Sequence, residues 1–137
     1  MAHLGSAGSD ASAKVHGSTS GRLANRVALV TGASRGLGRF FAETLAREGA
    51  HVILGNRSEV PEITDAIARA GGKANFVAMD VTRDDSILRA FAEITRQWGP
   101  PAVVVNNAGI TEVVDTLEED PAEFDRVIST NLRGPWM

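Results

Sequence analysis

The hydrophobic residues of this 137-residue chain form short runs that alternate with longer stretches of helical spacing. Each short run is apolar or β-branched and is bounded by Gly, Pro, Asn or Asp, which is typical of a buried strand. Such runs occupy residues 27–31, 50–54, 75–79 and 102–106. Strands that alternate with helices form βαβ units, whose right-handed crossovers build a parallel sheet covered on both faces. The pattern therefore predicts an α/β fold.

The stretches between the strands carry apolar residues three or four positions apart, which predicts amphipathic helices. Thr82 with Asp85 has the form of a capping box at the start of the third helix. Asp120, followed by Pro121 and Glu123, predicts an N-cap, an N1 proline and an N3 acid for the fourth. The predicted helical faces are Leu37, Phe40, Phe41, Thr44 and Leu45; Ile63, Ile67 and Ala70; Ile87, Phe91, Ile94 and Trp98; and Phe124, Val127, Ile128 and Asn131.

Composition narrows the classes of function. Residues 1–22 are rich in Gly, Ser and Ala and predict a disordered tail or an expression leader before a domain over residues 23–137. His3 and His16 of this tail lie too far apart to indicate a metal site.

A net charge of −3 with scattered arginines argues against nucleic acid as a partner. The absence of cysteine excludes disulfides and thiolate ligands and fits a cytoplasmic protein. No apolar run reaches the roughly 18 residues of a membrane-spanning helix.

A glycine-rich turn between the first strand and the first helix is the main candidate for chemistry. Gly32, Gly36 and Gly38 have the spacing Gly-x-x-x-Gly-x-Gly. In a strand–turn–helix unit, such glycines allow a tight turn, close approach of backbone to phosphate and close packing of helix on strand. The free N–H groups at the helix N-terminus favour a pyrophosphate. We therefore expect a dinucleotide site here, the alternative being a purely structural turn.

Polar or small residues also follow each of the later strands. The carboxyl ends of parallel strands meet at one edge of a sheet, where ligands bind beside the first strand. We therefore expect these residues to converge with the glycine turn on one crevice. They are Asn56 and Arg57 after the second strand, Asp80 and Val81 after the third, and Asn107, Ala108 and Gly109 after the fourth.

The residues after the second strand bear on which dinucleotide is bound. NAD sites usually have an acid there, which accepts hydrogen bonds from the adenosine ribose. This chain has Asn56 and then Arg57, so a 2′-phosphate would meet no carboxylate. Arg57, with Arg35 of the glycine turn, could bind that phosphate. The sequence therefore favours NADP(H) over NAD(H), unless both arginines are merely solvated.

Several motifs of the chain resemble those of the short-chain dehydrogenase/reductase family. Residues 31–38, Thr-Gly-Ala-Ser-Arg-Gly-Leu-Gly, are similar to its Thr-Gly-x-x-x-Gly-x-Gly cofactor motif. Asp80-Val81 resembles its adenine-contacting pair, and residues 106–109 resemble its Asn-Asn-Ala-Gly motif. Asn131 is similar to the asparagine of its catalytic Asn-Ser-Tyr-Lys tetrad. The resemblance implies a Rossmann-like doubly wound parallel sheet, incomplete here, with only the first four strands and their helices.

The resemblance also implies roles for these residues. Asp80 would bond to the adenine amino group, and Val81 would pack on the adenine ring. Asn131 would hold a water of the proton relay through its main-chain carbonyl, at a local bend in its helix. Asn107, Ala108 and Gly109 would line the cofactor ribose and brace the sheet. The phosphates would be held by Gly32, Ser34, Arg35, Gly36, Leu37 and Gly38.

The chain departs from the family in one respect. The family's acid–base tyrosine, in Tyr-x-x-x-Lys, and its serine come later than residue 137, and this chain contains no tyrosine. We therefore expect the 137 residues to be the cofactor-binding part of an NADP(H)-dependent oxidoreductase, inactive alone. The resemblance extends equally to 3-oxoacyl-(acyl-carrier-protein) reductases and to gluconate or polyol dehydrogenases, and it implies a carbonyl/alcohol substrate and a homo-oligomer. The alternatives are a catalytically inactive nucleotide-binding fragment or interaction module, and an expression fragment without function.

Overall fold

A computed structural model describes residues 21–111, 117 and 120–137 of the chain. Residues 1–20 of the predicted tail, with His3 and His16, lie outside the described residues. The elements are β1 (Val27–Thr31), α1 (Gly36–Arg47), β2 (His51–Asn56), α2 (Pro61–Arg69), β3 (Lys73–Ala78), α3 (Asp84–Trp98), β4 (Val103–Val105), α4 (Pro121–Ile128), a π-helical turn (Ser129–Arg133) and α5 (Gly134–Trp136).

Within the described residues, four strands form one sheet in the order β3-β2-β1-β4, and all pairings are parallel. The predicted Rossmann-like α/β fold is confirmed. Strand β1 lies inside the sheet, and Val27 to Thr31 are all buried. Because the order changes direction at β1, the carboxyl ends of β1 and β4 border the crevice where such sheets bind ligands.

The second strand is longer than predicted. Gly55 and Asn56, which lie beyond the predicted run of residues 50–54, belong to β2, because Gly55 pairs with Thr31 of β1 and Asn56 pairs with Ala78 of β3. A strand with partners on both sides continues as long as both neighbours supply backbone groups. Strand β4 is shorter than predicted, since it pairs only with Ala28 to Val30 of β1 among the described residues.

The helices cover the two faces of the sheet with separate apolar clusters. One cluster packs α1 and α2 on β1 and β2, with Ile63 and Ile67 fully buried or nearly so. The other packs α3 on the opposite face, around Leu29, Ile53 and Ile94. None of the described helices is both long and apolar enough to cross a membrane.

The predicted buried face of α1 is partly wrong. Leu37 and Phe40 are 67% and 56% exposed, whereas Gly38, Ala42 and Ala46 are buried. Helix α1 approaches the strands so closely at Gly38 that small side chains occupy its inner face. The sequence periodicity placed the large apolar residues on the buried face of α1 and missed the small residues beside them.

One of the two predicted helix caps is also wrong. Helix α3 begins at Asp84, and its N-cap Arg83 makes no capping hydrogen bond through its side chain. The Thr82 hydroxyl instead donates to Asp80 Oδ1 at 2.7 Å. The cap at Asp120 is confirmed, because its Oδ1 accepts a hydrogen bond from the Ala122 N–H at 2.9 Å, with Pro121 in the first helical position.

Candidate functional site

The three glycines after β1 have different steric surroundings. Gly32 has a φ of +64°, and a Cβ there would lie 2.7 Å from the Ala108 Cα. A Cβ on Gly38 would lie 2.5 Å from Asn107 Nδ2 and 2.9 Å from the Ala33 Cα. Gly36 has a φ of +54°, yet a Cβ there would meet no described atom within 4 Å. Gly32 and Gly38 therefore permit internal packing, whereas Gly36 borders open space.

The open space at Gly36 lies at the N-terminus of α1. Arg35 is the N-cap and supplies no capping hydrogen bond through its side chain, and the first turn contains no acidic residue. Ser34, Arg35, Gly36 and Leu37 are exposed. Backbone N–H groups at a helix start that lack internal acceptors form a positive site suited to an anion.

A hydrogen-bond brace connects the glycine turn to the end of β4. Asn107 Nδ2 donates to the carbonyl oxygens of Thr31 at 3.0 Å and Gly32 at 2.9 Å. The Thr31 hydroxyl oxygen accepts from the backbone N–H groups of Asn107 and Ala108 at 3.1 and 3.0 Å. Sequence reasoning missed this bracing role of Thr31. The signals that could have indicated it are a hydroxyl at the end of an otherwise apolar strand and the first position of the Thr-Gly-x-x-x-Gly-x-Gly motif.

Two hydrogen bonds between Ile110 and Asn131 connect the loop after β4 to the π-helical turn. Asn131 Oδ1 accepts from the Ile110 N–H at 2.9 Å, and Asn131 Nδ2 donates to the Ile110 carbonyl oxygen at 2.8 Å. A Cβ on Gly109 would lie 3.3 Å from Asn131 Oδ1. The side chain of Asn131 is therefore occupied by the loop after β4. A π-helical turn, a feature frequent at functional sites, occupies the position where the resemblance implies a local bend around Asn131.

Asp80 and Val81 follow β3 in a loop ordered by short hydrogen bonds. Asp80 Oδ1 accepts from the hydroxyl and the backbone N–H of Thr82, at 2.7 and 3.0 Å, and the Asp80 N–H donates to Ser86 Oγ at 2.9 Å. The Thr82 hydrogen bonds, with the nearby charges of Arg57 and Arg83, hold the pKa of Asp80 below its usual value. Asp80 is therefore an anionic acceptor at neutral pH, and these hydrogen bonds engage only its Oδ1.

The end of β2 supplies a feature that the sequence did not reveal. Asn56 is only 5% exposed, and neither atom of its side-chain amide has a hydrogen-bond partner among the described residues. A buried amide without a partner costs about 1–3 kcal/mol. Arg57, the next residue, is exposed. The exposed Arg57 guanidinium, and not the buried Asn56 amide, is therefore the polar group at this end of the strand that a ligand in solvent can reach.

All the predicted site residues lie at or just beyond the carboxyl ends of β1 to β4, apart from Asn131, which the Ile110 contact brings to the same edge. Within the part of the chain that the structure describes, no group of three or more His, Cys, Asp or Glu residues could hold a metal ion.

Comparison with known proteins agrees with this geometry. A family model described as short chain dehydrogenase matches residues 26–137. Oxidoreductase YxbG of Bacillus subtilis (strain 168) is 40% identical over 121 residues, which cover 85% of this chain and 44% of that protein. Trihydroxynaphthalene reductase of Colletotrichum orbiculare is 40% identical, with 86% of this chain and 43% of that protein covered.

A solved structure shows the same similarity. The crystal structure of a metagenomic short-chain oxidoreductase in complex with NADP is 36% identical, with a TM-score of 0.79, and covers 83% of this chain and 53% of that one. The chain thus spans less than half the length of the two curated relatives. With a family model that matches from β1 to the last residue, and a sheet and glycine turn of the corresponding form, this chain belongs to the short chain dehydrogenase family of oxidoreductases.

Proposed function

We propose that this chain is the cofactor-binding part of an NADP(H)-dependent oxidoreductase that interconverts a carbonyl and an alcohol. The observation that carries the proposal is the open space at Gly36, at the uncapped N-terminus of α1. A Cβ would enter this space, and the backbone N–H groups around it lack an acidic side chain to satisfy them. The cofactor pyrophosphate fits both properties.

The end of β2 supports NADP(H) over NAD(H). A carboxylate at position 56 would repel a 2′-phosphate, whereas the Asn56 amide carries no charge. The guanidinium groups of Arg57 and Arg35 are exposed and can bind the same phosphate. Asp80 would accept a hydrogen bond from the adenine amino group through its remaining oxygen, and Val81 would pack on the ring. Asn107, Ala108 and Gly109 would line the ribose.

In the reaction, bound NADP(H) would supply or accept the hydride. Asn131 would act through its main-chain carbonyl on a water of the proton relay, because its side chain is engaged by Ile110. The acid–base tyrosine with its lysine, and the serine, would have to come from sequence outside these 137 residues. Because the chain contains no tyrosine, an inactive nucleotide-binding fragment is the second candidate.

The remaining parts of the proposal concern the substrate and assembly. One relative is named as a trihydroxynaphthalene reductase, which supports a small carbonyl/alcohol substrate. We also propose a cytoplasmic homo-oligomer. The absence of cysteine supports the compartment. Support for assembly comes from the exposed apolar side chains of Phe124, Leu132 and Trp136, which are 53%, 63% and 78% exposed.

We expect the isolated chain to bind NADPH, and Arg57→Ala to weaken NADPH binding by about tenfold or more, since a charge-assisted hydrogen bond is worth about 1.5–3 kcal/mol. NADH affinity should change by less than about twofold, because NADH lacks the phosphate. Titration followed by NADPH fluorescence measures both. Arg96→Ala is the matched control, since it removes an exposed arginine from the last turn of α3. That turn precedes the start of β4 and so lies away from the carboxyl ends of the strands, where the candidate site is. An unchanged NADPH preference in Arg57→Ala would refute the phosphate assignment.

We expect the coding frame to continue past the Met137 codon and to encode a serine followed by Tyr-x-x-x-Lys. The full-length product should then oxidise NADPH in the presence of a carbonyl substrate. Sequencing the downstream DNA checks the first part and absorbance at 340 nm checks the second. A stop codon there would refute the enzyme proposal and leave the nucleotide-binding fragment.

A further inference from the structure

The π-helical turn is joined to the start of α3 by an ion pair between residues 49 positions apart. Both guanidinium Nη atoms of Arg133 contact the Asp84 carboxylate, Nη1 on Oδ1 and Nη2 on Oδ2, the latter at 2.7 Å. This two-point geometry orients both groups more strictly than a single contact would. The Arg133 hydrogen bond holds the pKa of Asp84 below its usual value, so the pair is charged at neutral pH.

A close backbone approach lies beside this pair. Gly134, directly after Arg133, is buried, and a Cβ on it would lie 2.8 Å from the Val81 carbonyl oxygen and 3.1 Å from the Val81 Cβ. Only glycine allows the end of the π-helical turn to lie so near the loop after β3. A displacement of Val81 would therefore move Gly134, and the reverse also holds.

The other side of the π-helical turn is held by the loop after β4, through the two hydrogen bonds between Asn131 and Ile110. A π-helical turn is rare, because the backbone of a helix favours i→i−4 bonds. Contacts from outside the helix therefore stabilise this one. They come from both loops that border the candidate nucleotide site.

We propose that Arg133, Asp84 and Gly134 form a latch through which nucleotide binding at Asp80 and Val81 orders the π-helical turn that carries Asn131. The inference rests on the proposed function, since it needs a nucleotide at Asp80 and Val81. Arg133, Asp84 and Gly134 are positioning residues, because they act through Val81 and Asn131. The latch couples the adenine end of the site to the residue proposed for the proton relay. An isolated surface ion pair would stabilise the fold slightly but would not couple nucleotide binding to the order of the π-helical turn.

Hydrogen–deuterium exchange of the full chain, with and without saturating NADP⁺, tests the latch. We expect NADP⁺ to slow exchange of the amides of residues 129–134 by about fivefold or more. Arg133→Met should abolish most of this effect of NADP⁺, while Arg133→Lys, which keeps the charge, should retain part of it. Coupling is reciprocal, so Arg133→Met should also weaken NADP⁺ binding, by about the same fivefold factor by which NADP⁺ slows exchange in the unmodified chain.

The matched control is Arg89→Met, which breaks another exposed pair at the start of α3, between Arg89 and Asp85, without touching the π-helical turn. It should keep the full effect of NADP⁺. The charge-reversed double variant Asp84→Arg/Arg133→Asp should restore protection if the pair itself carries the coupling. If NADP⁺ binds and protects residues 129–134 equally in Arg133→Met, the latch is refuted and the proposed function stands. If the unmodified chain does not bind NADP⁺, both are refuted.

Discussion

Replacing Gly38 by alanine should destabilise the fold by about 3 kcal/mol, near the upper end of the cost of overpacking. The new Cβ would lie 2.5 Å from Asn107 Nδ2 and 2.9 Å from the Ala33 Cα, so it would push α1 off β1 and break the brace to β4. Denaturant unfolding followed by far-UV circular dichroism measures the loss.

Gly36→Ala is the matched control in the same turn. It meets no described atom within 4 Å and carries only the strain of a φ of +54°, which costs about 1–2 kcal/mol. We expect a small loss of stability with a large loss of NADPH binding, since the methyl group would enter the space proposed for the pyrophosphate. Equal loss of stability in the two variants would contradict the assignment of Gly38 to internal packing and of Gly36 to the ligand space.

Asn107→Asp should destabilise the protein by about 3 kcal/mol at neutral pH, more than Asn107→Ala, because a carboxylate would face two carbonyl oxygens. Repulsion would raise the pKa of the new carboxyl above its unfolded value. The folded state would then bind the proton more tightly, so the loss should shrink as the pH falls through the raised folded pKa. Urea unfolding at pH 7 and at pH 5 measures this dependence.

Asn106→Asp provides the matched control, since Asn106 is exposed one residue earlier in the chain. It introduces the same charge outside the brace and should change the free energy of unfolding by less than about 0.5 kcal/mol. If Asn107→Asp were as mild as Asn106→Asp, the brace would contribute little, and the turn would depend on glycine packing alone.

The family assignment and the substrate rest on different parts of the molecule. The family is visible in residues 21–111, because the cofactor motifs and the parallel strands lie there. Substrate choice in proteins of this kind depends on groups that touch the reacting carbonyl. Since the chain spans less than half of the trihydroxynaphthalene reductase, the small carbonyl/alcohol substrate is a proposal for this protein.

The sequence by itself determined the fold class and the position of the candidate site. Hydrophobic periodicity is a local property, so the four strands and the helices between them could be located from neighbouring residues. The glycine turn and the Asp120 cap were predicted because each depends on residue types within a few positions, or on a complete family motif.

Only the tertiary structure decided where individual side chains go. It extended β2 to the buried Asn56, which pairs with Ala78 of β3, exposed Leu37 and Phe40, and directed the Thr82 hydroxyl to Asp80 instead of the α3 N-terminus. It also joined Thr31 to Asn107 and Arg133 to Asp84, pairs separated by 76 and 49 positions. The Thr82 hydroxyl bonds to a residue only two positions away, but the Thr31–Asn107 and Arg133–Asp84 pairs depend on partners that are distant along the chain. Strand order and helix packing set the identity of those distant partners, and no local pattern specifies either of them.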